Sequence, residues 1–321
     1  MASISVPDPV PSSTQDAENI RKAVQGWGTD ENALIEILGH RTAGQRGEIA
    51  VAYQGLYNEI LLSRIQAQLS GDFKVAMTLW TMDPAARDAK LAYKALRRKR
   101  VDDRTTWVLI EVACASSPDH LVAVRKAYCS AYDSSLEDDM AACALYDPLR
   151  QFLVRLVSSC RYAGEHVDEE LAGAEAAELH GAVVIKKEAL HGDVVRILCS
   201  RSKPQLKATF ERYKQDYGKA IDEVLEGNRN DRLSSMLKIT VWCLTSPEKH
   251  FAEVIRYSII GLGTDEESLT RAIVSRADVD MKKVKEEYKV RYKTTVTVDV
   301  VGDTSGYYQA ILLALIGPEQ P

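Results

Sequence analysis

Two hexapeptides offer the clearest chemistry in this sequence: GWGTDE at 26–31 and GLGTDE at 261–266. Each sets two glycines, a threonine and two acids directly ahead of a helix-patterned run. On one reading the glycines permit an unusual turn, Thr or Asp caps the helix that follows, and the acids suit the positive end of its dipole. On the other, a loop with two glycines turns several backbone carbonyls outward and works with a distant carboxylate. That donor set suits a hard cation such as Ca2+, which takes about six to eight oxygens. From the loops alone both readings stand.

The elements that must position these loops emerge from an internal repeat. Tyr57, Tyr132, Tyr217 and Tyr292 are separated by 75, 85 and 75 residues, and Tyr53, Tyr128, Tyr213 and Tyr288 follow the same intervals. The two columns lie four residues apart, on one helix face. The same offsets align LIEILGHR (34–41), LIEVACAS (109–116), VVRILCSR (194–201) and LTRAIVSR (269–276), whose apolar positions recur at i, i+3 and i+4. That spacing predicts an amphipathic helix in each unit. In this frame Gly26, Gly28, Thr29 and Asp30 fall on Gly261, Gly263, Thr264 and Asp265, so the two hexapeptides are one loop used twice. Units two and three read VDDRTT (101–106) and KKEALH (186–191) there, without a glycine.

Within unit one, capping and breaking residues predict short helices near 30–41, 44–54 and 58–69, a fourth over FKVAMTLW, and another opened by Pro84. TTVTVDVV (294–301) is the one stretch that looks like a strand, but its equivalents NEILLSRI and GKAIDEVL are helix formers, so it too is read as helix. The fold class is all-α. The extra ten or so residues between units two and three fall near YAGEHVDEELAGAE (162–175), whose glycines and acids read as a linker.

The chain of 321 residues has 45% hydrophobic and 27% charged residues, with a formal net charge of −5. That balance leaves no electrostatic footprint for nucleic acid and no bulk attraction to an anionic membrane. An anionic partner must be met through a local basic patch or a bridging cation. The six cysteines form no CxxC pair and sit in apolar or helical surroundings, as buried thiols do. MASISVPDPVPSS lacks the basic and apolar regions of a signal peptide, and no apolar run reaches the roughly 18 residues of a membrane span. The expectation is a soluble protein of a reducing compartment.

The four repeats, G-x-G-T ahead of an amphipathic helix, and an acid thirty-nine residues beyond the Thr together resemble the annexin family. GLGTDEESLTRAIVSR with GDTSGYY (302–308) is similar to that family's fourth repeat, and GWGTDENALIEILGHR to its plant members, which carry Trp in this loop. The resemblance covers 14–317. It implies a short tail (1–13), repeats at 14–82, 83–160, 176–243 and 244–317, and a linker at 161–175. Each repeat would hold about five short helices, the whole packed into a slightly curved disc.

Carried over by position, the resemblance implies a Ca2+ site in repeat four from the carbonyls of Ile259, Gly261 and Gly263, with Asp303 as bidentate carboxylate. In repeat one the carbonyls would be those of Val24, Gly26 and Gly28, but the acid position holds Gln68, so this site is expected to be much weaker unless Asp72 or a lipid phosphate supplies the missing ligand. The same column reads Cys143 and Asn228 in repeats two and three, which are expected to be scaffold.

The function implied is calcium-dependent, peripheral binding to anionic phospholipid membranes, with the metal bridging loop oxygens to lipid phosphate. Trp27 and Leu262 would face the membrane, where an aromatic ring suits the interfacial zone. Arg21, Lys22 and the run RRKR (97–100) are further candidates for phosphate contact, the run reading equally as a solvated helix end. The chain is expected to be cytoplasmic and monomeric until calcium rises, to self-associate on membranes, to take actin among its protein partners, to bind no nucleic acid, and to act in plant stress response. It is not expected to be an enzyme. The competing readings are a helical scaffold for protein partners, or peroxidase or GTP/ATP hydrolase activity as suggested for plant members. His40 is the residue invoked for haem, YGKAI and DVVG are fragments of nucleotide motifs, and Cys114 and Cys243 are redox candidates. A capping or surface histidine and buried structural thiols are the plainer accounts. Asp88, Glu111 and Arg271 match positions of the family's hydrophilic channel, and equally read as interhelical salt bridges.

Overall fold

The structure, a computed structural model, describes residues 1–26, 28–98, 102–228, 231–261 and 263–319. Among the described residues there are twenty α-helices, one π-helical turn and no strand. Repeat one holds α1 (Ser13–Ala23), α2 (Glu31–Leu38), α3 (Ala43–Tyr57), α4 (Leu61–Gln68) and α5 (Gly71–Thr81). Repeat two holds α6 (Pro84–Leu96), α7 (Asp103–Cys114), α8 (Pro118–Tyr132), α9 (Leu136–Ala142) and α10 (Leu149–Val157). Repeat three holds α11 (Glu169–His180), the π-helical turn Gly181–Ile185, α12 (Gly192–Ser200), α13 (Lys203–Tyr217), α14 (Ile221–Gly227) and α15 (Arg232–Thr245). Repeat four holds α16 (Pro247–Ile259), α17 (Glu266–Arg276), α18 (Met281–Tyr292), α19 (Val296–Asp303) and α20 (Gly306–Ile316). The strand-like 294–301 segment is thus mostly helix, as its equivalents required.

The third helix of each repeat explains the tyrosine columns. Tyr53, Tyr128, Tyr213 and Tyr288 are fully buried, and each meets its partner one turn on, with ring centroids 4.9, 5.1, 5.0 and 4.9 Å apart. Burying a ring of this size contributes roughly 2 kcal/mol or more relative to exposure. Each of these helices then ends on a residue in the left-handed region: Asn58 (φ 51°), Asp133 (φ 51°), Gly218 (φ 75°) and Lys293 (φ 59°). A left-handed residue stops the helix and turns the chain sharply. At the other end Thr42, Ser117 and Ser202 cap three of the four, Thr42 in a reciprocal capping box with Gln45.

The chain divides into two compact units, one of residues 1–84 with 251–321 and one of residues 85–250. In the first, α5 packs on α17 and α20, burying Phe73, Ala76, Met77 and Trp80. The N-terminal tail is tied into this unit. The Ser3 amide donates to the Ala277 carbonyl at 2.9 Å and its hydroxyl to the Leu315 carbonyl at 2.5 Å. In the second unit α7 packs on α15 and α10, and α11 on α13.

One boundary differs from expectation. The linker placed at 161–175 ends at Asp168, which caps α11 by accepting the Leu171 amide at 2.9 Å. Glu169 and Glu170 fill that helix's first turn, where acids favour the dipole, so the acidic run that reads as linker is a helix start. No single helix among the described residues is long and apolar enough to cross a membrane.

Candidate metal centre

The repeat-four loop leaves α16 and returns on itself: the Asp265 amide donates to the Ser258 carbonyl at 2.8 Å. Asp265 also caps α17, accepting the Ser268 amide at 3.1 Å. The capping reading of the hexapeptide is therefore true, and it fixes the loop rather than excluding a second use. Gly261 (φ 138°) and Gly263 (φ 90°) hold backbone angles that any other residue would adopt only under strain. Both are exposed.

The distant acid is tethered to this loop. The Thr264 hydroxyl donates to Asp303 Oδ2 at 2.5 Å and lies 3.1 Å from the Asp303 carbonyl. Asp303 is the last residue of α19 and half-buried. The turn beyond it is held by Gln309 Nε2, which donates to the Thr304 carbonyl at 2.5 Å, and by Gly306 at φ 63°. Tyr308 then pins α20 to the start of α17, donating to the Glu266 carbonyl at 3.2 Å.

The donor chemistry fits a hard cation. Among the described residues Asp303 Oδ1 and the carbonyls of Ile259, Gly261 and Gly263 receive no hydrogen bond. Also among the described residues, no three His, Cys, Asp or Glu side chains converge, so a metal centre here must draw mainly on backbone oxygens. Three carbonyls and a bidentate carboxylate fall short of the six to eight oxygens Ca2+ takes, leaving positions for water or an anion's oxygen.

The repeat-one loop shares the scaffold and departs at the donors. Its Asp30 amide donates to the Ala23 carbonyl at 2.9 Å, Asp30 accepts the Ala33 amide at 3.0 Å, and Gly28 sits at φ 95°. Gly26, however, lies outside the left-handed region that its counterpart Gly261 occupies. Gln68 accepts the Thr29 hydroxyl at a long 3.4 Å. The Val24 carbonyl is occupied: Arg64 Nη2 donates to it at 2.6 Å. Asp72 is exposed, at the start of α5, and acts electrostatically on Tyr308. Trp27 and Leu262, the expected membrane-facing residues, lie outside the described residues, as do Lys99 and Arg100 of the RRKR run.

The other two repeats lack the glycines, and their acid column holds no acid. Cys143 is buried at the end of α9. In repeat three the π-helical turn Gly181–Ile185 and Lys187 (φ 58°) stand where the loop would be, with Asn228 at the end of α14. In repeat two Asp102 caps α7 through the Thr105 amide at 2.8 Å. Burial alone would raise this carboxyl, but the Thr105 hydrogen bonds outweigh it and hold it below the usual range.

The residues of the competing readings are engaged elsewhere. His40 Nδ1 is 2.8 Å from the Ser5 carbonyl. Cys114 and Cys243 are buried, and burial pushes the Cys114 thiol up to about 11. Asp88 accepts Arg87 Nε and His120 Nε2, both at 2.8 Å. Glu111 meets His250 at 2.7 Å. Arg271 is buried within the other unit. Arg21 donates to Glu59 at 2.6 Å, so it is committed within its own repeat.

The residue that sequence reasoning passed over is Arg64. The repeat columns carry its signal: the matching positions in repeats two and four are Asp139 and Asp299, so an acid gives way to a base beside one of the two glycine loops.

Comparison with known proteins agrees with this architecture. The annexin family model matches residues 15–80, 87–154, 175–237 and 250–315. Annexin D3 of Arabidopsis thaliana is 46% identical over 320 residues, covering 99% of each chain. Annexin-like protein RJ4 of Fragaria ananassa is 47% identical over 307 residues, covering 95% of this chain and 96% of its own. Among solved structures, annexin III superposes with a TM-score of 0.89 at 31% identity, over 100% of this chain and 98% of the other. The calcium-bound structure of annexin (Sm)1 superposes with a TM-score of 0.83 at 28% identity, over 97% and 91%. With four matched repeats, twin glycine loops and relatives of this closeness, the chain belongs to the annexin family, in its plant-type branch.

Proposed function

We propose that this chain shares the general property of its family, calcium-dependent phospholipid binding, and that it does so through the repeat-four loop. The carbonyls of Ile259, Gly261 and Gly263, together with Asp303, would hold the ion. Bound there, Ca2+ supplies a positive charge with unfilled coordination positions, which a lipid phosphate oxygen completes.

The chain's own residues do the rest. Thr264 orients the Asp303 carboxylate, and Gly261 and Gly263 give the backbone the angles that turn carbonyls outward. Leu262, between those glycines, and Trp27 in the sister loop are proposed to touch the interfacial layer. The net charge of −5 explains why the contact needs the cation: without it an acidic protein faces an acidic surface. The observation that carries this reading is the Thr264–Asp303 tether beside a run of backbone oxygens left without donors.

Cosedimentation with vesicles tests it. Binding to phosphatidylserine vesicles with calcium, release by chelator, and no binding to phosphatidylcholine vesicles are expected. Binding that persists unchanged in chelator would contradict the reading.

A further inference from the structure

Arg64 breaks a pattern that repeats two and four keep and that repeat three, with Val224 at this position, lacks. In repeats two and four its position is Asp139 and Asp299. Each accepts the hydroxyl of its repeat's buried tyrosine, Tyr128 or Tyr288, at 2.6 Å. Each also takes an arginine: Arg97 at 3.1 Å and Arg256 at 2.7 Å. Repeat one keeps the tyrosine and the arginine but moves the acid. Glu59, at the position of Ser134 and Thr294, accepts Arg21 at 2.6 Å and Tyr53 at 3.4 Å. Position 64 is thereby released from its old duty, and a base occupies it.

That base points at the metal loop. Arg64 Nη2 donates to the Val24 carbonyl at 2.6 Å, the counterpart of the Ile259 carbonyl in repeat four. Its Nη1 lies 3.8 Å from Glu59 Oε1. Two further departures agree with a loop that keeps its own cation. Gly26 does not take the left-handed angle of Gly261, and a neutral Gln68 replaces Asp303. Glu59, shared with Arg21, lies near this guanidinium, and a monovalent cation needs less negative charge from the loop than a divalent ion does.

We propose that Arg64 is the resident cation of the repeat-one loop: its guanidinium takes the place of Ca2+ against the Val24 carbonyl, closes the loop without metal, and excludes metal from it. This rests on the reading that the matching oxygens of repeat four hold calcium. The first loop is then a permanently closed element, and the chain responds to calcium through its fourth repeat alone.

Calcium calorimetry on the full chain separates the two claims. Wild type is expected to bind one ion, and Asp303→Asn to lose it. In the Asp303→Asn background, Gln68→Glu combined with Arg64→Ala or Arg64→Gln should create a site at least about tenfold tighter than Gln68→Glu alone, because a fixed positive charge no longer opposes the ion. Equal affinity with and without Arg64 would overturn the proposal, as would a second wild-type site that survives Asp303→Asn. No calcium binding by wild type would overturn the repeat-four reading instead. A measurement without metal guards against a variant that misfolds: in chelator, hydrogen exchange at the Asp30 amide, bonded to the Ala23 carbonyl, should quicken in Arg64→Gln while the Tyr53 region of α3 stays protected. Unchanged loop exchange there would also contradict the proposal.

Discussion

The Thr264 hydroxyl holds the Asp303 carboxylate at 2.5 Å across thirty-nine residues of chain, joining the start of one helix to the end of another. Their counterparts in repeat one, Thr29 and Gln68, keep the same separation in sequence but stand 3.4 Å apart. A short, charge-assisted bond is about twice as strong as a neutral one. The difference decides which loop presents a preorganised acid.

Thr264→Val should therefore leave the fold intact and loosen Asp303. The calcium midpoint for vesicle binding is expected to rise about threefold to tenfold, equivalent to the roughly 1 kcal/mol of one lost hydrogen bond. Thr29→Val should not move it. Calcium titrations of vesicle cosedimentation read both.

Thiol reactivity should divide the six cysteines. Cys129 and Cys160 are exposed, while Cys114, Cys143 and Cys243 are buried. With its thiol near 11, Cys114 is on the order of 0.1% thiolate at pH 8 even before access is considered. Two thiols are expected to react with Ellman's reagent in the native protein within minutes, and all six in denaturant. Rapid native labelling of Cys114 or Cys243, located by mass spectrometry, would contradict their burial.

Acid should destabilise the second unit. Burial by itself would raise the carboxyls of Asp88, Asp139 and Asp222, but their partners outweigh it: Arg87 and His120; Tyr128, Ser134 and Arg97; Lys249 and Trp242. All three titrate lower folded than unfolded. Their stabilisation is present above the unfolded value of about 3.9 and is lost as pH falls through the folded values. Thermal melts should hold steady from pH 7 to 5 and drop steeply below about pH 4. Asp88→Asn removes the buried carboxylate that Arg87 and His120 share and should cost about 3 kcal/mol at neutral pH.

The tail should be released by one methyl group. A Cβ on Gly317, which sits at φ 67°, would fall 2.0 Å from the Ser3 carbonyl oxygen. Gly317→Ala is expected to free residues 1–5 for proteolysis and cost about 1–3 kcal/mol. Tail cleavage at the wild-type rate would show that this contact does not anchor it.

Much of this was legible in the sequence, because it repeats. The tyrosine columns mark the third helices, and the glycine loops announce themselves by recurring at matching positions. Helix caps such as Asp30 and Asp265 follow from local chemistry. The Arg64–Val24 bond has only half a signature: the repeat columns mark a base at 64 where repeats two and four carry an acid, but no periodicity reports that it reaches a backbone oxygen forty residues earlier. The docking of Ser3 was hidden for the same reason, resting on main-chain groups that every residue carries. The acidic run at 169–170 misled because acids favour both linkers and helix starts, and only the Asp168 cap separates the two.

Whether Asp303 and its loop carry the response to calcium is read most directly from the calcium midpoint for phosphatidylserine vesicle binding in wild type and Asp303→Asn. Asn, which keeps the size but loses the charge and the bidentate grip, should raise the midpoint by about a hundredfold or abolish binding in the accessible range, an effect of roughly 3 kcal/mol. Superimposable titrations for the two proteins would contradict it.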